Sequence, residues 1–192
     1  MTIIKKLALA CSVAAIGFAA PAQADPYTAP SANGTATVRL FSAIDLQKVQ
    51  DIDFGTIIRS SGASGSVFMS SVGAIDCTAV VGVTCTGAPT EGHFTINGDS
   101  GSAMSVTVSG ATFDATDNTL LLSNGTETVS LALEYAGMTQ DVLLGVNQST
   151  FGVTGAGSDT DIKLFGTLTF GDSTVAPNGV YTASFNLTAD YD

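Results

Sequence analysis

Histidine occurs once in the 192 residues, at His93, so proton transfer near neutral pH would have to be organised around that side chain. Close by lies Gly98-Asp99-Ser100-Gly101, which has the outline of a serine nucleophile loop. A nucleophilic serine takes its base from a distant part of the fold, whereas His93 precedes Ser100 on the approach to the same short strand. The loop also continues Ser102-Ala103, without the Gly-Pro that usually follows such a serine. Residues that tolerate turn dihedrals explain all of it. Carboxylates pair at Asp51 and Asp53, and again at Asp159 and Asp161 after Gly155-Ala156-Gly157-Ser158. The second group resembles one unit of a calcium-binding glycine-aspartate repeat, but an array needs several copies. Glycoside hydrolysis by paired acids needs a sugar platform, and the chain contains no tryptophan. The residues therefore predict no catalytic group, no metal site and no cofactor.

Cysteine occurs at 11, 77 and 85. Cys11 sits in a segment with the marks of a secretory signal: Lys5 and Lys6, an apolar run from Leu7 to Ala20, and Ala22-Gln23-Ala24 as a small-x-small cleavage site before Asp25. The run is shorter than the roughly 20 residues a spanning helix needs. Removing residues 1–24 leaves Arg39, Lys48, Arg59 and Lys163 against 17 acids, so the formal charge moves from −11 to −13. Such a balance disfavours nucleic acid and anionic lipid as partners. In an oxidising compartment Cys77 and Cys85 are expected to form a disulfide, worth about 2.5 kcal/mol and pinning one hairpin.

The elements that would carry these residues are strands. Residues 25–34 form an arm of Pro, Ser, Ala, Asn and Gly, and a single domain is expected over 35–192. Ala36, Val38 and Leu40 alternate with polar or outward residues, Ile44 and Leu46 continue the pattern, and Ile52, Phe54, Thr56 and Ile58 begin another strand. Strands follow at Val67–Val72, around Phe94 and Ile96, through Met104, Val106 and Val108, through Val129, Leu131, Leu133 and Tyr135, and through Ile162, Leu164, Leu168 and Phe170. Gly166 shares the face of that last group, where a large neighbour would approach. About nine short strands, punctuated by turns at Asn97-Gly98, Asp117-Asn118 and Asn124-Gly125 and with no helical period, predict an all-β antiparallel sandwich.

The stretch Val180–Tyr191 is the most regular. Tyr181, Ala183, Phe185, Leu187, Ala189 and Tyr191 alternate with Thr182, Ser184, Asn186, Thr188 and Asp190, a long strand covering a core with one face. No hairpin partner follows it, so one backbone edge is expected to want a neighbour.

Ile52-Asp53-Phe54-Gly55-Thr56-Ile57, Phe94-Thr95-Ile96-Asn97-Gly98 and Gly179-Val180-Tyr181, in that order, resemble the bacterial DUF4402 family, whose members are similar to major subunits of Mat/Ecp-type fimbriae. The Gly-x-Tyr opening and the terminal aromatic also resemble spore-coat-U-type and other chaperone-usher pilins. That resemblance implies an immunoglobulin-like sandwich lacking a strand that is donated in trans. It implies an acceptor groove lined by Tyr181, Phe185, Leu187 and Tyr191. Residues 25–34 lack the large alternating side chains of a donor, so the donor strand is expected to extend into Ala36, Val38 and Leu40. It further implies copies of the same chain, a periplasmic chaperone and an outer-membrane usher as partners, with transit through the periplasm to the surface of a Gram-negative-type bacterium. The function expected is that of a structural fimbrial subunit, not an enzyme. The rival expectation is a self-contained secreted binding module of adhesin or lectin type.

Overall fold

The computed structural model describes residues 34–137, 140–143, 149–172 and 177–192. The predicted signal (1–24) and residues 25–33 of the predicted arm lie outside them. The chain divides into two units, Met1–Val38 and Arg39–Asp192. Of the first, the described residues 34–38 are exposed and have no regular secondary structure.

The second unit is built entirely of strands among its described residues. In chain order these are β1 (Asp45–Gln50), β2 (Thr56–Arg59), β3 (Gly65–Met69), β4 (Ile75–Asp76), β5 (Val83–Thr86), β6 (Gly92–Asn97) and β7 (Ala103–Ser109). There follow β8 (Phe113–Asp114), β9 (Thr119–Ser123), β10 (Thr128–Gly137), β11 (Gln140–Leu143), β12 (Thr150–Thr154), β13 (Thr160–Phe170) and β14 (Asn186–Tyr191). All pairings are antiparallel.

Long β10 and β13 pair along their lengths and form the centre of a large sheet. Each is flanked on its far edge by two shorter strands: β13 by β6 and then β3, β10 by β9 and then β11. A smaller sheet, β12-β7-β14, lies over the inner face, and β2 and β5 form a separate two-stranded ribbon. Alternation places Leu131, Leu133, Ile162, Leu164, Ile96 and Val67 of the large sheet in one core with Met104, Val106 and Val108 of the small one. Tyr135 of β10 stacks on Phe151 of β12 at 3.9 Å between ring centroids, joining the two layers, and burial pushes the Tyr135 phenol above its ordinary 10.0. The chain is thus an all-β sandwich.

Four local expectations change. Ala36–Phe41 carries no strand: residues 34–44 have no regular structure, because alternation without a ladder partner leaves the backbone with nothing to pair. The alternation through Ile52, Phe54, Thr56 and Ile58 breaks at Gly55, whose φ of 67° turns the chain, so Ile57 faces inward and Ile58 is 54% exposed. The two cysteines do not close a hairpin, since β4 pairs with β3 of the large sheet while β5 pairs with β2. The final strand is shorter than Val180–Tyr191, with ladder pairing only from Asn186 onward. Gly166 does share the inward face, but the close neighbour is backbone: a Cβ there would collide with the Ala132 carbonyl oxygen of β10.

Candidate functional site

Burial alternates without a break from Tyr181 to Tyr191, odd residues half-buried and even ones exposed. The pattern outlasts the ladder. From Asn186 the strand is held by β7, pairing Leu187 with Val108, Ala189 with Val106 and Tyr191 with Met104. Before that, one bridge between Thr182 and Ser123 of β9 holds the segment, with both backbone hydrogen bonds made, at 2.9 and 3.0 Å. Val106 and Val108 are essentially inaccessible, while their partners Ala189 and Leu187 are only half-buried. Among the described residues β14 has no ladder partner besides β7, so its second backbone edge is unpaired.

Beside this segment a groove runs over the inner face of the large sheet, whose side chains there are buried. A cleft of about 720 Å³ has Leu120, Val129, Leu131, Leu168 and Phe170 as its floor. One wall is the segment 51–59, the other the segment 177–185, and no residue of β7 or β12 lines it. The first wall is held from its outer side, by the bridge of Asp53 with Thr90 and by the β2–β5 ladder. Gly55 makes the corner between those two ties, and its amide donates to Asp53 Oδ1 at 2.7 Å. Arg59 closes the end of that wall, its guanidinium donating to the Gly171 carbonyl at 2.5 Å and lying 5.7 Å from the Phe170 ring centroid. On the second wall the Tyr181 hydroxyl donates to the Pro177 carbonyl at 2.7 Å, which orients the ring within its own turn. Ile58 and Val180, 54% and 80% exposed, both line the cleft and put aliphatic side chains on its two lips.

The four side chains expected to form an acceptor groove share one face but split into two groups. Tyr181 and Phe185 line the cleft, and Phe185 meets Phe94 of β6 edge-on at 6.1 Å. Leu187 and Tyr191 lie further along. Tyr191 is stacked on Phe41 at 4.4 Å, and its hydroxyl accepts the Asp99 amide at 2.9 Å. The Ser42 amide donates to Asp99 Oδ2 at 2.9 Å, and hydrogen bonding from Ser42 holds that carboxyl below its ordinary value. Residues 41–42 are therefore tied to the C-terminal end of β14. The expected donor residues stand out from the surface, Val38 77% and Leu40 87% exposed. Sequence reasoning missed the floor residues of β9, Arg59 and the Phe41 contact. Asp51, Asp53 and Arg59, the charged residues around Ile57, carried no signal of a cleft, because its floor belongs to strands far away in sequence.

The groups weighed for chemistry are used in structure. His93 Nε2 lies 2.9 Å from Asp161 Oδ1 across β6 and β13, and Lys163 pairs with Glu91 at 3.1 Å. Ser100 sits in a turn braced by Gly155–Gly157, where the Gly101 amide donates to the Gly155 carbonyl at 2.8 Å and the Gly157 amide to the Gly98 carbonyl at 3.1 Å. Asp159 accepts from Asn97 Nδ2 at 3.1 Å. No group of three or more metal-ligating side chains occurs among the described residues. Cys77 and Cys85 are joined, with Cα atoms 6.0 Å apart.

Fold and cleft together define an all-β sandwich domain with an apolar cleft beside the segment that leads into an edge strand. The family model described as a domain of unknown function, DUF4402, matches residues 44–191, and the chain belongs to that family. No curated protein matches the chain at a significant level.

Proposed function

We propose that this protein is an exported structural subunit that joins to copies of itself by β-strand addition, as in a fimbria or pilus-like surface fibre. The observation that carries the reading is the cleft: an apolar floor lies between two walls, one of which, 177–185, runs on into β14, whose second backbone edge has no ladder partner among the described residues and whose apolar face is only half-buried. A single extended segment laid between residues 51–59 and 177–185 would cover the floor with alternate side chains and hydrogen-bond through its backbone. The domain is then an immunoglobulin-like sandwich short of one strand. The incoming segment is the region around Ala36, Val38 and Leu40 of a second copy, aliphatic, exposed and carrying a single charge, Arg39, on a chain that is otherwise strongly acidic. A periplasmic chaperone and an outer-membrane usher would handle the subunit before assembly. The protein works by binding and not by chemistry.

The test is a synthetic peptide of residues 25–46 titrated into the exported protein. It is expected to raise the melting temperature and to bind saturably, and Val180→Asp at the exposed lip is expected to weaken binding by roughly tenfold or more. A cooperative monomer that ignores the peptide at all concentrations would favour a self-contained binding module.

A further inference from the structure

One wall of the cleft belongs to neither sheet of the sandwich. Among the described residues β2 and β5 form a ladder only with each other, and the ribbon closes at its far end through the Ser60 amide and the Gly82 carbonyl, 2.8 Å apart. Its ties to the body are the Asp53–Thr90 bridge at one end, Arg59 to Gly171, the half-buried Ile57 and Val83 packed against the core, and the bond between Cys85 of β5 and Cys77. Cys77 directly follows Asp76, which pairs with Phe68 of β3, and β3 in turn pairs with β13 at the centre of the large sheet. The disulfide is thus a covalent cross-link from the ribbon to the main sheet, added to the short backbone connections 60–64, 77–82 and 87–91, across a gap that no ladder spans. A two-stranded ribbon alone is marginal in water. Its cleft-facing strand carries Ile57 and Arg59 on the inner side and Ile58 on the lip.

Resting on the strand-addition reading, we infer that the Cys77–Cys85 bond is the strut of the acceptor wall, so that the protein can take a strand only when oxidised. Reduction by a dithiol transfers two electrons and two protons to the bond, leaving two thiols on the protein and a disulfide on the reductant. The core of β6, β7, β10 and β13 is not cross-linked by that bond and stays folded. What loosens is β2–β5, and with it one of the two edges the incoming strand would pair with.

The experiment compares the oxidised full exported chain, the same chain reduced with dithiothreitol, and Cys77→Ser/Cys85→Ser. Hydrogen exchange at 56–59 and 83–86 is expected to accelerate roughly tenfold or more without the bond, while amides of β10 and β13 keep their protection. Binding of the 25–46 peptide is expected to fall by a similar factor. Unchanged ribbon exchange, or equal peptide binding with and without the bond, overturns the inference. Global loss of protection also overturns it, because the bond would then support the whole fold. If even the oxidised protein binds no peptide, strand addition fails as the function and the oxidation requirement fails with it, whatever the exchange data show of the ribbon.

Discussion

At the scale of single residues, two positions are fixed by what the central strands β10 and β13 place beside them. Gly166 pairs with Leu133 at the point where β13 changes flanking partner from β6 to β3, and it has φ 148°. Both its backbone angle and the Ala132 carbonyl exclude a side chain. Gly166→Ala is expected to lose about 2–4 kcal/mol of stability, read from urea denaturation, which for a marginal domain is a large share of the total. Glu91 is the second case. Its partial burial pushes its pKa up, but hydrogen bonding to its own backbone and from Lys163, with the nearby positive charge, outweighs that and leaves it below its ordinary 4.5. A carboxylate depressed in the folded state stabilises above its unfolded pKa, and that contribution is lost as pH falls through the lower folded value. Lys163→Met is therefore expected to be destabilised at pH 7, with the difference from wild type shrinking below about pH 4.5 in urea titrations across pH 3–7.

At the scale of elements, the molecule is stiff where strands have two partners and exposed where they have one. β10 and β13 are paired on both edges and bury Leu131, Leu133, Ile162 and Leu164 fully. β14 has one partner, and the segment before it has a single bridge, yet both keep their apolar faces toward the core. Half-burial of Tyr181, Phe185 and Leu187 follows from that missing second neighbour, not from weak hydrophobicity. The Phe41–Tyr191 stack and the Ser42–Asp99 hydrogen bond anchor the chain near residue 41 at the far end of the same strand from the cleft. Each residue of an extended strand advances about 3.4 Å, so Tyr181 lies a long way from that anchor.

At the scale of the whole molecule, strand addition as proposed, with the donor at one place and the cleft at another, would make the contact between copies heterologous. Contacts of that kind propagate into open fibres unless the rotation happens to close a ring. Replacing both exposed donor residues, Val38→Asp with Leu40→Asp, is expected to abolish concentration-dependent assembly in size-exclusion chromatography with light scattering. The monomer's melting temperature should stay within a few degrees of wild type, because neither side chain is buried. A large drop in that melting temperature would instead mean that the segment completes its own domain.

The strands and their faces were legible in the sequence wherever alternation alone decides them. Val129–Tyr135, Met104–Val108, Ile162–Phe170 and the alternation from Tyr181 onward all turn the expected side chains inward. Period two is a local property of the backbone, and hydrophobic burial acts on it residue by residue. The cysteine pair was legible too, from number and compartment, although its neighbours were not: which strand each cysteine joins depends on pairings between residues far apart in sequence. The same limit hid the cleft. Its floor comes from β9, β10 and β13 and its walls from the two ends of the domain, so its existence depends on how much of one sheet the other covers. Coverage is a balance among non-local contacts, and no local period records it. The sequence by itself determined an acidic, all-β chain with one long amphipathic final segment. Only the tertiary structure decided that this segment begins beside a cleft over the large sheet, because that depends on which distant strands pair and how far the smaller sheet extends.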